Sequence, residues 1–150
     1  MKATTLEMPI PDGYEFDSFD KLSRKVKLNQ KPTDVKERIK TIADIFSDNG
    51  ISQEEFDANC IGLEQDEVAY RIIKLLAKSL NEGWKPDWSN SNEYKYYPWF
   101  YMASSGFRYY VYDYWHSNSI VGSRFCFKTR ELAEYAGKQF TEVYKQFMIL

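Results

Sequence analysis

The feature that most constrains this chain is the stretch from Tyr94 to Trp115, YKYYPWFYMASSGFRYYVYDYW, in which 12 of 22 residues are aromatic. The whole chain of 150 residues contains 4 Trp, 12 Tyr and 10 Phe. Aromatic residues favour strands, and a Ser-Ser-Gly sequence between two such runs is typical of a turn. The stretch therefore predicts two strands, 94–102 and 106–114, with rings on both faces.

A third strand and a helix are predicted after this stretch. The run 122–128, GSRFCFK, has the apolar and polar alternation of a strand, and Thr129 is a good N-cap for a helix that continues to about Phe147. Pro98 cannot donate to a ladder, so the first strand is predicted to lie at an edge or to carry a bulge. One face of the helix is apolar: Leu132, Ala136, Phe140, Val143 and Phe147.

The first two thirds of the chain predict a hairpin and then helices. Two short strands are expected at Tyr14–Asp17 and Arg24–Leu28. From Thr33 the apolar period becomes helical up to Asp48-Asn49-Gly50, a short helix capped by Ser52 and anchored by Phe56 follows, and the longest helix covers about 64–82. Acidic residues in the first turn of this last helix favour its start, and Gly83 provides its end.

The predicted fold is therefore α+β. It has an N-terminal β segment or extension (1–32), a helical region of two to three helices (33–93), and a three-stranded antiparallel sheet followed by a C-terminal helix packed on one face (94–150). Residues 33–150 are expected to form one compact domain, because 150 residues suffice for a self-supporting core without disulfides or metals.

Strict alternation of side chains divides the predicted sheet into two faces. Phe107, Tyr109 and Val111 would then meet the C-terminal helix. The opposite face is the predicted binding site and combines rings with cations: Lys95, Tyr97, Trp99, Arg108, Tyr110, Tyr112, Arg124 and Lys128, beside Tyr101, Tyr114 and Cys126. Such a surface stacks flat rings and attracts phosphate. Two alternatives stay open for this face. The broad apolar stripe of the 64–82 helix could cover it, or it could be an open platform.

Other sites find little support in the sequence. Asp48–Phe56 resembles part of a calcium-binding EF-hand loop, but that alignment puts Ile45 and Phe56 where two acidic ligands are needed. His116 is the single histidine, and Cys60 and Cys126 lie far apart, so no metal and no cofactor is expected. Without a signal peptide or a long apolar run, we expect a cytoplasmic protein with no membrane segment.

Four segments carry a resemblance to a known family: LNEGWKPDW from Leu80, EYKYYPWF from Glu93, VGSRFCFK from Val121 and ELAEYAGKQF from Glu131. In these the chain resembles a family of small proteins encoded by gut bacteria and their phages or mobile elements, over roughly 33–150. The resemblance implies a lineage and, if phage-encoded, the host cytoplasm as location. It implies no activity and no site residues.

The expected function is a non-catalytic binding or interaction module of this phage or mobile-element type, with an unknown protein as the favoured partner. A nucleic-acid-binding protein is the alternative, since three strands and a helix are similar to the DNA-reading modules of AP2-type transcription factors and some phage integrases, with Arg108, Arg124 and Lys128 at the reading positions. Residues 94–150 carry 7 Lys+Arg against 4 Asp+Glu, which is mild for that role. An enzyme of unknown type is the third possibility.

Overall fold

A computed structural model describes residues 8–11 and 13–149. The chain divides into two compact units, Met1–Asp34 and Val35–Leu150. The first seven residues of the predicted N-terminal segment, and Asp12 of its Pro-Ile-Pro-Asp-Gly turn, lie outside the described residues. Among the described residues, no helix combines the length and the apolar character needed to cross a bilayer.

The first unit contains the predicted hairpin, which is confirmed. Strands β1 (Tyr14–Asp20) and β2 (Lys25–Gln30) pair antiparallel, with a bulge in β1 between Phe16 and Ser18. Both strands are longer than expected. The turn between them places Arg24 at φ 56°, and the Asp20 carboxylate accepts from the Leu22 N–H at 2.9 Å.

The second unit begins with three short helices, α1 (Val35–Arg38), α2 (Ile42–Asp48) and α3 (Gln53–Ala58). The single helix expected from Thr33 to Asp48 is wrong, because Thr41 and Asp44 form a capping box that starts a new helix. The predicted end of a helix at Asp48-Asn49-Gly50 and the predicted short helix capped by Ser52 are confirmed, and the rings of Phe46 and Phe56 stack across this junction at 4.4 Å.

The longest helix, α4 (Gln65–Asn81), lies where the sequence predicts it. Glu64 and Glu67 form a capping box at its start, and Glu82 ends it in the left-handed conformation, at φ 47°. The apolar stripe of α4 lies in the core, where it packs mainly against α2 and the last helix of the chain. The stripe is broad because these neighbours lie on more than one side of it.

The second sheet has two strands, so the prediction of three is wrong. Strands β3 (Lys95–Ala103) and β4 (Gly106–Trp115) pair antiparallel around the predicted Ser-Ser-Gly turn. Segment 122–128 joins this sheet through one isolated bridge, in which Tyr96 and Phe127 exchange backbone hydrogen bonds of 3.1 and 2.7 Å. Two further backbone groups of that segment, the Cys126 carbonyl and the Lys128 N–H, have a partner outside the sheet.

The segment is held by a side chain of α4 instead of a ladder. The Asn81 amide donates to the Cys126 carbonyl at 2.8 Å and accepts from the Lys128 N–H at 2.9 Å. Because the Cys126 carbonyl and the Lys128 N–H are already hydrogen-bonded to Asn81, continued pairing with β3 would not supply these two groups with a missing partner. Phe125 and Phe127 are buried, as expected of core residues, but Cys126, which strict alternation places on the opposite face, is buried as well.

The C-terminal helix is present but divided. Thr129 caps α5 (Arg130–Gln139) as predicted, and α6 (Thr141–Met148) begins after a break at Phe140. Helix α5 packs on β3 and β4 so closely that a Cβ at Gly137 would collide with the Tyr109 ring and lie 2.8 Å from Pro98 Cβ. The predicted apolar face is buried from Leu132 to Val143.

Candidate functional site

A β-bulge at Tyr110 decides which side chains share a face of the β3–β4 pair. Trp99 lies opposite Val111, but the next residue, Phe100, lies opposite Tyr109, so Tyr110 has no partner on β3. An extra residue reverses the alternation beyond it. The prediction that Arg108, Tyr110, Tyr112 and Tyr114 share one face is therefore wrong.

Tyr112 lies on the face of the sheet that is packed on α5. It pairs with Pro98, which contacts Gly137, and its ring lies 5.8 Å from that of Tyr96. Tyr114 lies on the same face, opposite Tyr96, and forms with Tyr94 and His116 a cluster of rings whose centroids are 4.7 to 6.1 Å apart. The histidine thus packs among tyrosines.

The outer face of the sheet, away from α5, carries an aromatic patch formed by Trp99, Tyr101, Arg108, Tyr110 and Val111. Trp99 and Tyr110 are 43% and 62% exposed, and the other three members are also exposed. The Arg108 guanidinium lies 4.8 Å from the centroid of the Tyr101 ring, which itself lies 6.1 Å from the Tyr110 ring. Cation–π stacking of this kind orients the arginine and leaves its N–H groups available.

The other end of the outer face is closed, because Lys95 and Tyr97 are only 1% and 3% exposed. The Lys95 ammonium donates to the carbonyls of Asp87, Asn90 and Glu93, and pairs with the Glu93 carboxylate at 3.1 Å. Burial, followed by the nearby Asp113 charge, raises the pKa of Tyr97 to about 12. Both residues are therefore buried in the fold and are not available to a ligand. The loop 87–93, and not the 64–82 helix, covers Lys95.

The remaining two predicted residues lie away from the sheet face. Lys128 pairs with Glu82 at 3.1 Å, next to the Arg38–Glu82 pair at 2.7 Å. Arg124 is exposed at a groove beside α4. The structure therefore brings Trp99, Arg108 and Tyr110 together, and it separates the three cations that a nucleic-acid-reading sheet would need.

That groove, called here the basic groove, was missed by the sequence analysis. Its volume is about 670 Å³, and it is lined by Lys74, Leu75, Ala77, Lys78, Asn81, Gly83, Trp84, Lys85, Pro86, Ser123 and Arg124. Lys74 and Lys78 are one helical turn apart, and Lys85 follows Trp84 directly. The spacing of these three lysines is the only sequence signal of the basic groove. The approach of Arg124 to the lysines depends on the tertiary fold.

Burial raises the pKa of two further titratable groups near the sheet. Burial raises the pKa of Cys126 to about 11, and burial followed by the Glu134 charge raises the pKa of Tyr109 to about 12. A thiol with a raised pKa is a poor nucleophile. Within residues 8–11 and 13–149, no cluster of three or more His, Cys, Asp or Glu side chains could hold a metal ion.

Comparison of the chain with protein-family models, curated proteins and solved structures gives no match.

Proposed function

We propose that this chain is a non-catalytic binding module and that the aromatic patch is its contact surface for a protein partner. The observation that carries the proposal is the exposure of Trp99 and Tyr110 on the outer face of a strand pair whose inner face is packed on α5. Large rings held on a fixed backbone bury much area on binding at a low cost in entropy.

The composition of the patch favours a protein over other partners. Trp, Tyr and Arg are the residue types most enriched among those that dominate binding energy at protein interfaces. Trp99, Arg108 and Tyr110 lie within one patch of neighbouring side chains around the bulge. This arrangement supports a small, centrally anchored interface.

The charge of the patch specifies the partner further. Arg108 forms no ion pair with another described residue, and its guanidinium is oriented by the Tyr101 ring. A carboxylate of the partner would pair with it, while apolar side chains would cover Trp99 and Val111. The partner surface is therefore apolar with an acidic group at its rim.

The free edge of β4 supports the same function. Among the described residues, β4 pairs with β3 on one side, and no backbone hydrogen bond joins its other edge to a second strand. Exposed strand edges accept an extended segment of another chain. Three of the five patch residues, Arg108, Tyr110 and Val111, belong to this same ten-residue strand.

Nucleic acid is a weaker candidate for this surface. Binding through phosphates requires several cations on one face, and the patch contains Arg108 alone among the predicted reading positions, since Arg124 and Lys128 lie elsewhere.

The motifs that resemble proteins of gut bacteria and phages fit an accessory role in the cytoplasm, which we include in the proposal.

The test combines cross-linking with reconstitution. A photo-reactive phenylalanine at position 110 should cross-link one discrete protein in cells that make the chain, and the same residue at Tyr14, an exposed ring of the first unit, should not. With the purified partner, Trp99→Ala combined with Tyr110→Ala should weaken the measured affinity by about 100-fold or more, as expected of central aromatic anchors.

Two results would contradict the proposal. One is a partner whose affinity for the double variant equals its affinity for the parent chain. The other is binding of nucleic acid that falls steeply with salt and is lost in Arg108→Ala, which would favour the alternative function. Because all mutated side chains are exposed, the melting temperature of the variants should stay close to that of the parent chain.

A further inference from the structure

The basic groove combines a positive rim with an apolar floor. Among the described lining residues, the cations Lys74, Lys78, Lys85 and Arg124 form no ion pair, and none of the lining residues is acidic. Leu75, Ala77 and Pro86 supply apolar surface. An uncompensated positive rim raises the local concentration of anions.

Helix α4 contributes two of these cations from one stripe. Lys74, Ala77, Lys78 and Asn81 recur at the spacing that places residues on a single helix face. Like charges one turn apart disfavour a helix slightly. An anionic ligand between Lys74 and Lys78 would remove this repulsion.

The opposite wall is held in place by hydrogen bonds. The Trp84 N–H donates to the Asn81 carbonyl at 2.9 Å, and the Trp88 indole N–H donates to the Ser123 hydroxyl at 2.8 Å. The first bond also satisfies one of the last carbonyls of α4, whose partial negative charge would otherwise oppose an anion. The Ser123 hydroxyl keeps its own proton for a ligand oxygen.

The groove also offers a flat ring and sufficient space. Trp84 is half-buried in its wall. The volume of about 670 Å³ lies within the range of roughly 300–1,000 Å³ that is usual for small-molecule sites. Indole faces stack on nucleobases, and Lys and Arg side chains pair with phosphate.

We infer that the basic groove binds a nucleoside phosphate, with the base on Trp84 and the phosphate among Lys74, Lys78, Lys85 and Arg124. The ligand is either a free nucleotide or a nucleotide within a single-stranded nucleic acid, since both present the same chemistry. This site shares no residue with the aromatic patch, so it does not depend on the proposed function.

Calorimetric titration of the full chain tests the inference with four probes: ATP, adenosine, inorganic phosphate and a single-stranded deoxyadenosine oligonucleotide. ATP should bind at least 10-fold more tightly than adenosine or phosphate, a difference of about 1.4 kcal/mol. The double substitution Lys78→Gln and Arg124→Gln should weaken ATP binding by about 10-fold or more and reduce its salt dependence.

A matched control removes the same charge elsewhere. Lys40→Gln combined with Lys145→Gln changes two exposed lysines outside the groove, and it should leave the affinity for ATP unchanged. Trp84→Leu tests the ring and should lower the affinity for ATP but not that for phosphate. If Trp84→Leu proves unstable, the two charge variants still decide the question, because their side chains are exposed.

The outcomes distinguish the sources of the ligand. Tight ATP binding that is lost in the groove variant supports a free nucleotide, and oligonucleotide binding that is stronger than ATP binding and is lost in the same variant supports single-stranded nucleic acid. Equal affinities for ATP and phosphate would overturn the inference. Binding that the groove variant does not weaken would also overturn it. So would the absence of detectable binding of every probe at concentrations up to about 10 mM, because the binding free energy would then be weaker than roughly 3 kcal/mol.

Discussion

The side-chain amide of Asn81 donates a 2.8 Å hydrogen bond to the backbone carbonyl of Cys126, 45 residues further along the chain. The same side chain accepts the Lys128 N–H, and it is 5% exposed. One asparagine at the end of α4 thus takes the place of a strand partner for segment 122–128. It also joins the two walls of the basic groove.

Asn81→Ala should lower the free energy of unfolding by about 2 to 4 kcal/mol, because it leaves a buried carbonyl and a part-buried N–H without partners. Urea denaturation of the two proteins measures this difference. Asn118→Ala, at an exposed loop asparagine, is the control and should change stability by less than about 0.5 kcal/mol. An effect at Asn81 no larger than the control would show that the hydrogen bonds do not hold the segment.

Lys95→Met tests whether the buried ammonium organises the loop 87–93. The substitution removes the common partner of three carbonyls and of the Glu93 carboxylate. We therefore expect the free energy of unfolding to fall by about 3 kcal/mol, as is typical when hydrogen bonds to a charged group are lost. Amide hydrogen exchange should also become faster in the loop. Lys145→Met, at an exposed lysine, should leave both measurements unchanged. Equal stability of the two variants would contradict the role of Lys95.

Glu82 should make stability depend on pH in the acidic range. Its hydrogen bond from Arg38, followed by that from Lys128, lowers the pKa of the carboxyl below its ordinary value of 4.5, against the opposing effect of burial. A lowered pKa in the folded state means that the stabilisation is complete above about pH 4.5 and is lost as the pH falls through the folded pKa. Since Glu82 is 39% exposed, the contribution is at most about 1 kcal/mol.

The measurement compares Glu82→Gln with the parent chain at pH 7 and pH 3. The variant should be less stable at pH 7, and this difference should shrink as the pH falls through the folded pKa of Glu82, because protonation leaves both side chains uncharged. Glu142→Gln, whose carboxylate is 78% exposed and 3.8 Å from Lys145, should show no such difference. A Glu82→Gln penalty that does not shrink as the pH is lowered would assign the effect to side-chain geometry and not to charge.

Local sequence signals located most elements but not all of their limits. The 64–82 helix, the Thr129 cap and the Ser-Ser-Gly turn depend on capping, helical period and turn chemistry, which act over a few residues. The break at Thr41 was available from the same rules, because Asp44 follows three residues later. The prediction followed the continuous apolar period across Thr41 and did not use that cap.

The candidate site was predicted only in part, because alternation was assumed to continue through β4. Trp99, Arg108 and Tyr110 do share an exposed surface, but the bulge at Tyr110 moves Tyr112 to the inner face. A bulge depends on how one strand fits its partner and the helix beneath it, here around Pro98 and Gly137. Pro98 predicts an edge position or a bulge for its own strand, but it does not predict that the extra residue is Tyr110 of β4.

By itself, the sequence determined that residues 94–115 form an aromatic antiparallel pair and that a long helix precedes it, because composition and period act locally. The tertiary structure decided which rings are exposed, that Lys95 is buried beneath its own loop, and that Arg124 joins Lys74 and Lys78. Those outcomes depend on contacts between residues far apart in the chain, such as Asn81 with Cys126. The free energies of such contacts are comparable to those of the local conformational preferences that the contacts override.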